Sequence, residues 1–232
     1  MNVLRSDTHG GTLALQMVDR YLRGLDATLD GLQEQREAMA GAIDVLVGCW
    51  RRGGTIYTVG NGGSASTATH LAADLAKYTA VEGQPRVRAM SLTDNVPLVS
   101  AWTNDAGFGS VYAEQLRAWV REGDVLVAIS VHGGSGRPPA GPGGGGAAPW
   151  SQNLIHAVEV AREHGAKVLG LSGYDGGELA RLADVCLVVP APDPELGTPL
   201  IESVHVVIHH LWAAALAVVI AQAGEAQHGK GA

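Results

Sequence analysis

The chain predicts an α/β fold: a five-stranded parallel sheet with helices on both faces, preceded by an N-terminal helical extension. Three observations carry this. Short apolar runs alternate with stretches of helical periodicity from residue 55 onward. Two of those runs end in glycine loops that carry hydroxyls. Residues 12–52 show helical spacing alone, and the 232 residues suffice for one such domain.

Taken in order, Leu15, Val18, Leu22, Leu25, Leu29 and Leu32, then Met39, Ile43 and Val47, recur at helical spacing and predict two helices broken near Gly24 to Gly31. Thr55 to Val59 reads as the first strand and Ser64 to Lys77 as a helix with Ser64 or Ser66 to cap it. A second strand follows at Val87 to Leu92, a helix at Gly109 to Val120 and a third strand at Asp124 to Ser130. Then come helix Gln152 to His164, strand Lys167 to Ser172, short helix Gly177 to Leu182 and strand Val185 to Pro190. An apolar helix over Val204 to Ala221 closes the domain. The resulting division is 1–52 for the helical extension, 53–222 for the α/β domain and 223–232 for a C-terminal tail. Gly136 to Pro149, rich in glycine and proline with little to pack, is expected to be a mobile loop.

Composition narrows the function. A formal net charge of −7, with no local run of Lys or Arg, argues against a nucleic-acid ligand. The stretch Val204 to Ala221 is long enough to cross a bilayer, yet His205, His209 and His210 within it and Glu202 before it argue for a domain core or subunit interface and against a membrane. Met1 to Gly11 lacks the apolar core of a secretory signal. Cys49 and Cys186 lie in apolar patterns and read as buried free thiols, which suits a reducing cytoplasm.

The chemistry concentrates on two loops, Gly60-Asn61-Gly62-Gly63-Ser64-Ala65 and Ser130-Val131-His132-Gly133-Gly134-Ser135. In a flavodoxin-like strand order 2-1-3-4-5, the ends of the first and third strands are neighbours at the topological switch point, so the loops would grip one anion from two sides. Gly60, Gly62 and Ala65 also satisfy a relaxed dinucleotide fingerprint, but Asp94 lies too far on to be its ribose-binding acid. With no phosphate-loop lysine and serine pair either, no nucleotide cofactor is expected. The nucleophile-elbow spacing is absent around Ser64. His70 and Asp74, four apart, share one helix face and suit metal binding or proton transfer, although such pairs are commonly plain surface contacts. Glu202, His205, His209 and His210 fall in an apolar helix, where ionisable groups must be paired or coordinated.

Gly-Asn-Gly-Gly-Ser-Ala followed by His70-Leu71-Ala72-Ala73-Asp74-Leu75, then Leu92-Thr93-Asp94, Leu171 to Gly177 and Ile201-Glu202-Ser203-Val204-His205 together resemble a sugar isomerase (SIS) domain of the phosphoheptose isomerase type. That resemblance runs from the N-terminal helices to about Ala221. It implies an aldose-ketose isomerase acting on a sugar phosphate, sedoheptulose 7-phosphate to a manno-heptose 7-phosphate, in a homotetramer with active sites at subunit contacts. It assigns Asn61, Gly62, Gly63, Ser64, Asp94, Ser130 and Ser135 to the phosphosugar, with His132 as an added contact. The family's His-x-x-x-Glu and its Gln with a histidine eight residues later align with His70, Asp74, Glu202 and His210, which in some members hold zinc. The same alignment makes Asp74 or Glu202 the catalytic base and His210 its acid or oxygen partner.

Three departures stand out. Asp74 is one methylene shorter than the family's Glu, Glu202 replaces Gln, and the second loop, normally Ser-Thr-Ser-Gly-Asn-Ser, carries Val131, His132 and Gly134 before the insertion. Helical register adds a fourth point: His205 and His209 lie nearer the face of Glu202 than His210, which is turned by about 80°. The resemblance selects His210 as ligand and holds His209 in reserve. The rival class is a non-catalytic phosphosugar-binding adaptor or regulator of the replication-initiator-binding type, which needs the loop serines but not the acids and histidines.

Overall fold

The computed structural model describes residues 8–134 and 150–228. Ser135 and the glycine- and proline-rich segment 136–149 lie outside these residues. Five parallel strands, β1 (Thr55–Gly60), β2 (Arg88–Ser91), β3 (Val125–Ile129), β4 (Lys167–Gly173) and β5 (Val185–Val189), form one sheet in the order β2-β1-β3-β4-β5. Ile56 pairs with Val125 and Gly60 with Ile129 in the β1–β3 register, so the two glycine loops leave the sheet side by side.

Every residue of β1 and β3 is buried, as befits strands covered on both faces. Side chains alternate between two cores. Ile56, Val125, Val127 and Ile129 face one core, where α2 (Arg36–Arg51), α3 (Gly63–Lys77) and α8 (Gly197–His228) contribute Leu46, Leu71, Leu75 and Trp212. Tyr57, Val59, Leu126 and Ala128 face the other, against Leu116, Leu154 and Val158 of α5 (Ala113–Trp119) and α6 (Gln152–Glu163). Truncating one of the fully buried leucines to alanine costs about 2–5 kcal/mol. Asp124 pins the sheet at its other end: its carboxylate accepts the Thr55 N–H at 2.7 Å and the Arg121 N–H at 2.8 Å.

Several expected boundaries moved: the helix expected from Gly109 begins at Ala113 after a 3₁₀ turn at Phe108–Ser110, and α8 starts at Gly197, ahead of Val204. The first helix, α1 (Thr8–Leu32), continues through Gly24 and Gly31, and the break comes as a 3₁₀ turn at Gln33–Gln35. Those glycines serve contact instead of a bend, because a Cβ on Gly24 would lie 2.9 Å from Leu200 and one on Gly31 2.9 Å from Pro190. Arg20 strengthens the docking with two hydrogen bonds to the Asp193 carboxylate at 2.6 and 2.7 Å and one to Glu195 at 2.6 Å. The sequence pattern also passed over α4 (Val96–Ala106), which has no buried residue and so no apolar period to read. It is started by the Asn95 side chain accepting the Leu98 N–H and by Pro97 in the first turn. α3 lacks the expected serine cap and begins instead from Gly62 at φ 54°, a conformation that favours glycine. The remaining helix, α7 (Gly177–Leu182), falls where its pattern predicts.

α8 passes a test of length and apolarity for a membrane span, with mean hydropathy 2.0 over its best window. Ile201, Val204, Ile208, Trp212, Leu216 and Ile220 nevertheless form one wall of the first core, as a central helix of a folded domain requires. His205 belongs to this wall, fully buried, with its Nε2 bonded to the Ser172 carbonyl at 3.1 Å. A carbonyl only accepts, so Nε2 carries the proton.

Burial pushes the His205 pKa down to about 4. The unfolded chain therefore takes up a proton here below the ordinary value near 6.5, while the folded chain resists until about 4. Stability contributed by the neutral ring is complete above pH 6.5 and lost as pH falls toward 4. Urea unfolding across this window should show a shallower acid slope for His205→Gln than for the natural protein, whatever the variant's stability at neutral pH. Equal slopes would contradict the assignment.

Candidate active site

The loop after β1 and the loop after β3 meet in a cavity of about 300 Å³ whose polar lining is Asn61, Ser64, Ser130, His132, Ser151 and Glu202. The N-terminus of α3 opens onto it and brings unpaired amides and the positive end of a helix dipole. Gly63, the first residue of α3, admits the Glu202 carboxylate so closely that a Cβ would lie 2.5 Å from Oε1. A side chain there would force the carboxylate to move.

The first loop is held from behind by an amide pair. Asn61 donates to Asn153 Oδ1 at 2.9 Å and Asn153 donates back to Asn61 Oδ1 at 2.8 Å. The Tyr112 hydroxyl bonds the Gly60 carbonyl at 2.5 Å. Ser151 joins the two loops, 3.4 Å from Asn61 Nδ2 and 3.3 Å from the Ser130 hydroxyl. Sequence reading missed Ser151, Asn153 and Tyr112. The signal for the first two was Ser151-Gln152-Asn153 at the head of the expected α6, a capping pattern separated from the second loop by the insertion.

A second group lies farther along the same two helices. His70 and Asp74 on α3 meet His209 and His210 on α8, with their candidate ligand atoms all within 4.8 Å of one another. Asp74 Oδ2 is 3.6 Å from His70 Nε2, 3.7 Å from His209 Nδ1 and 3.5 Å from His210 Nε2. The imidazoles contact edge to face or tilted, at centroid separations of 4.7, 5.0 and 4.3 Å. His209 is fully buried, and neither of its ring nitrogens has a hydrogen-bond partner. Burial, reinforced by His210 and His70, pushes its pKa down to about 4 and leaves the ring neutral, the form that binds metals. Buried polar groups without partners are rare in native proteins, and the two His209 nitrogens, like those of the other members of the group, are of a kind that can ligate a metal.

The grouping differs from the expected one. His209, the reserve, is a member beside His210, while Glu202 lies outside it and lines the loop cavity instead. Helix rise explains this: eight residues separate Glu202 from His210 by about 12 Å along α8. Consecutive residues sit about 100° apart, so His209 and His210 straddle the face that meets α3. Asp94 occupies a third position, in a cavity shared with Ser66, Thr69, His70 and Thr93 on the flank of α3. Thr69 donates to its Oδ1 at 2.6 Å and Thr93 at 3.2 Å. Asp94 thus borders the histidine end and not the loop cavity.

The SIS domain family matches residues 20–140 of the chain. The lincomycin biosynthesis protein LmbN of Streptomyces lincolnensis is 48% identical over 174 residues, 75% of this chain, which spans 60% of that relative's length. A phosphoheptose isomerase of Rhodospirillum rubrum is 38% identical over 174 residues, covering 75% of this chain and 81% of its own. Among solved structures, phosphoheptose isomerase GmhA from Neisseria gonorrhoeae superposes with a TM-score of 0.73 at 29% identity, over 88% of this chain and 98% of its own.

Proposed function

Since the chain belongs to the SIS domain family, in its phosphoheptose isomerase branch, we propose that it interconverts sedoheptulose 7-phosphate and a manno-heptose 7-phosphate by proton transfer through an enediol. One observation carries the reading: a carboxylate, Asp74, is ringed by three imidazoles on the same helix pair that bears the anion cavity. A non-catalytic adaptor would have use for the cavity alone.

Distance along the helices supports the substrate's length. Ser64 and His70 are six residues apart on α3, about 9 Å, and Glu202 and His209 seven apart on α8, about 10 Å. An extended sugar phosphate advances about 1.25 Å per C–C bond, so a seven-carbon ketose spans about 9 Å from phosphorus to its carbonyl carbon and a five-carbon ketose about 6 Å. The phosphate would rest against Asn61, Gly62, Gly63, Ser64, Ser130, His132 and Ser151, with the carbonyl end beside Asp74. Ser135 is proposed as a further phosphate contact, and Asp94 as a hydroxyl contact near the sugar chain.

In this arrangement Asp74 removes the C1 proton while His210 delivers a proton to the C2 oxygen, which produces the enediol. The O1 hydroxyl then passes its proton to the deprotonated His210 as Asp74 returns one to C2, and the aldose is complete with both groups restored. All three imidazole contacts involve Asp74 Oδ2, which leaves Oδ1 for the proton. Glu202, near the phosphate end, is assigned to binding in preference to proton transfer. Isomerisation is followed by solvent deuterium incorporation into sedoheptulose 7-phosphate. Asp74→Asn is expected to reduce exchange by at least about 100-fold and Glu202→Gln by less than about threefold. The opposite pattern would move the base to Glu202, and no exchange by the natural protein would remove the isomerase reading.

The orphaned nitrogens of His209 and the mixed imidazole and carboxylate set suit Zn²⁺, which His70, Asp74, His209 and His210 would hold. Bound there, the ion supplies a Lewis acid that polarises the sugar's oxygens. His70 and His210 are half-exposed, so their replacement tests binding without emptying the core. In equilibrium dialysis, His70→Ala and His210→Ala should each weaken Zn²⁺ binding by at least about tenfold. Unchanged affinity in both would contradict the site.

The reading includes a homotetramer in the cytoplasm. Leu15, Val18 and Leu22 on α1 are 62%, 53% and 54% exposed at helical spacing, and Val207, Leu211 and Val218 on α8 are 48%, 43% and 56% exposed. These stripes suit contact with other copies, and the free thiols, Cys49 buried and Cys186 only half-buried, contrary to the expectation for the latter, suit a reducing compartment. Light scattering on Leu22→Glu should give a smaller particle than the natural chain; a monomeric natural chain would contradict the tetramer.

A further inference from the structure

The loop cavity contains an electrostatic problem. Glu202 brings a carboxylate to a place where a phosphate dianion is to bind, and among the described residues the cavity lining includes no Lys or Arg. Two anions in one cavity of about 300 Å³ repel unless a positive charge joins them. Among the described residues, His132 is the lining side chain able to carry it.

Its surroundings hold the ring in place. The His132 imidazole stacks on Tyr174 with centroids 4.8 Å apart and planes 3° from parallel, and Trp150 packs on it at 3.9 Å and 43°. Tyr174 is itself fixed by a bond between its hydroxyl and the Thr198 hydroxyl at 3.1 Å. Gly197 makes room for this, since a Cβ there would lie 2.7 Å from the Tyr174 hydroxyl. The turn bearing His132 is stitched to the neighbouring strand end by Gly173 N–H to Val131 O at 3.0 Å and to α7 by Leu179 N–H to Gly133 O at 2.8 Å. Among the described residues, the non-glycine residues at positive φ are Ser151 and Tyr174, both at 53°. One lines the cavity and the other stacks on its histidine, and backbone strain of this kind gathers at functional sites.

We propose that His132, clamped between Trp150 and Tyr174, is the cationic partner of the substrate phosphate, and that the two rings are positioning residues which hold the imidazole at the cavity wall. This rests on the cavity being the phosphate end of the isomerase site. Aromatic faces stabilise an imidazolium between them, so the clamp favours the charged form once the phosphate arrives. Tyr174 and Asp175, on the turn after β4, lie near the imidazole, and Glu202 on α8 lines the same cavity. Burial lowers the His132 pKa and Asp175 opposes that, so the ring is largely neutral at pH 7 without ligand. Binding of a dianion then draws a proton onto it. The imidazolium at His132 thereby offsets the carboxylate that Glu202 adds to the same cavity.

Calorimetric titration with inorganic phosphate and with sedoheptulose 7-phosphate, at pH 6.0 and 8.5, tests this on the natural protein, His132→Gln, Trp150→Leu and Trp150→Phe. Comparing variant with natural protein at each pH cancels the titration of the ligand itself. His132→Gln should weaken both ligands about tenfold at pH 6.0, with a smaller gap at pH 8.5, and raise KM while kcat stays within about threefold. Trp150→Leu should show the same pH pattern to a lesser degree, and Trp150→Phe should restore natural affinity. Equal affinities for His132→Gln and the natural protein, or a gap that does not change with pH, would overturn the proposal. If the natural protein turns over the ketose phosphate while His132→Gln changes nothing, the clamp alone fails. If the natural protein binds neither ligand, the isomerase reading fails with it.

Discussion

Everything at the site depends on α3 and α8 lying side by side and pointing the same way. Gly63 meets Glu202 near the start of both helices, and His70 and Asp74 meet His209 and His210 two turns later. Apolar packing imposes this register: Ala68, Leu71 and Leu75 of α3 share one core with Val204, Ile208 and Trp212 of α8. α3 is tied in turn to the sheet, where the Thr58 hydroxyl bonds the Ala68 carbonyl at 2.8 Å. A shift of one residue along either helix would rotate a side chain by about 100° and disperse the imidazoles. Hydrophobic register thus does the aligning for groups that have little mutual attraction of their own.

The same packing sets a cost. His209 is buried without hydrogen-bond partners for its ring, and the Trp212 indole nitrogen one turn on lacks a partner too. Each buried group left unpaired costs about 1–3 kcal/mol. For His209 the metal or substrate end of the site gives that cost a purpose. For Trp212 the structure offers no partner, and we have no physical account of it.

Most of the architecture was legible because its signals are local. Strands β1, β3, β4 and β5 are short apolar runs bounded by glycine, proline or charge, and their alternation with helical periods carries the parallel sheet. The strand order was taken from the flavodoxin-like pattern, and the observed order β2-β1-β3-β4-β5 puts the two hydroxyl-bearing loops at one switch point as that pattern requires. α4 escaped because an exposed helix has no apolar stripe, and the break at Gln33–Gln35 was misplaced because Gly24 and Gly31 resemble breakers while acting as points of close contact. At the site, residues on one helix were read from spacing: His70 with Asp74, while His209 was held in reserve behind His210. Ser151 and Asn153 were hidden because the inserted segment separates them in sequence from the loop they support. The position of Glu202 depended on helix-to-helix register, which no local pattern records.

A structure of the protein with sedoheptulose 7-phosphate bound would test the central claim most directly, by locating both ends of the ligand along the α3–α8 seam. The account predicts phosphorus within hydrogen-bond reach of Ser64, Ser130 and Ser151, with C1 and C2 beside the Asp74 carboxylate. A phosphate in that cavity with the carbonyl end directed away from α3 and α8, or a phosphate bound elsewhere, would contradict it.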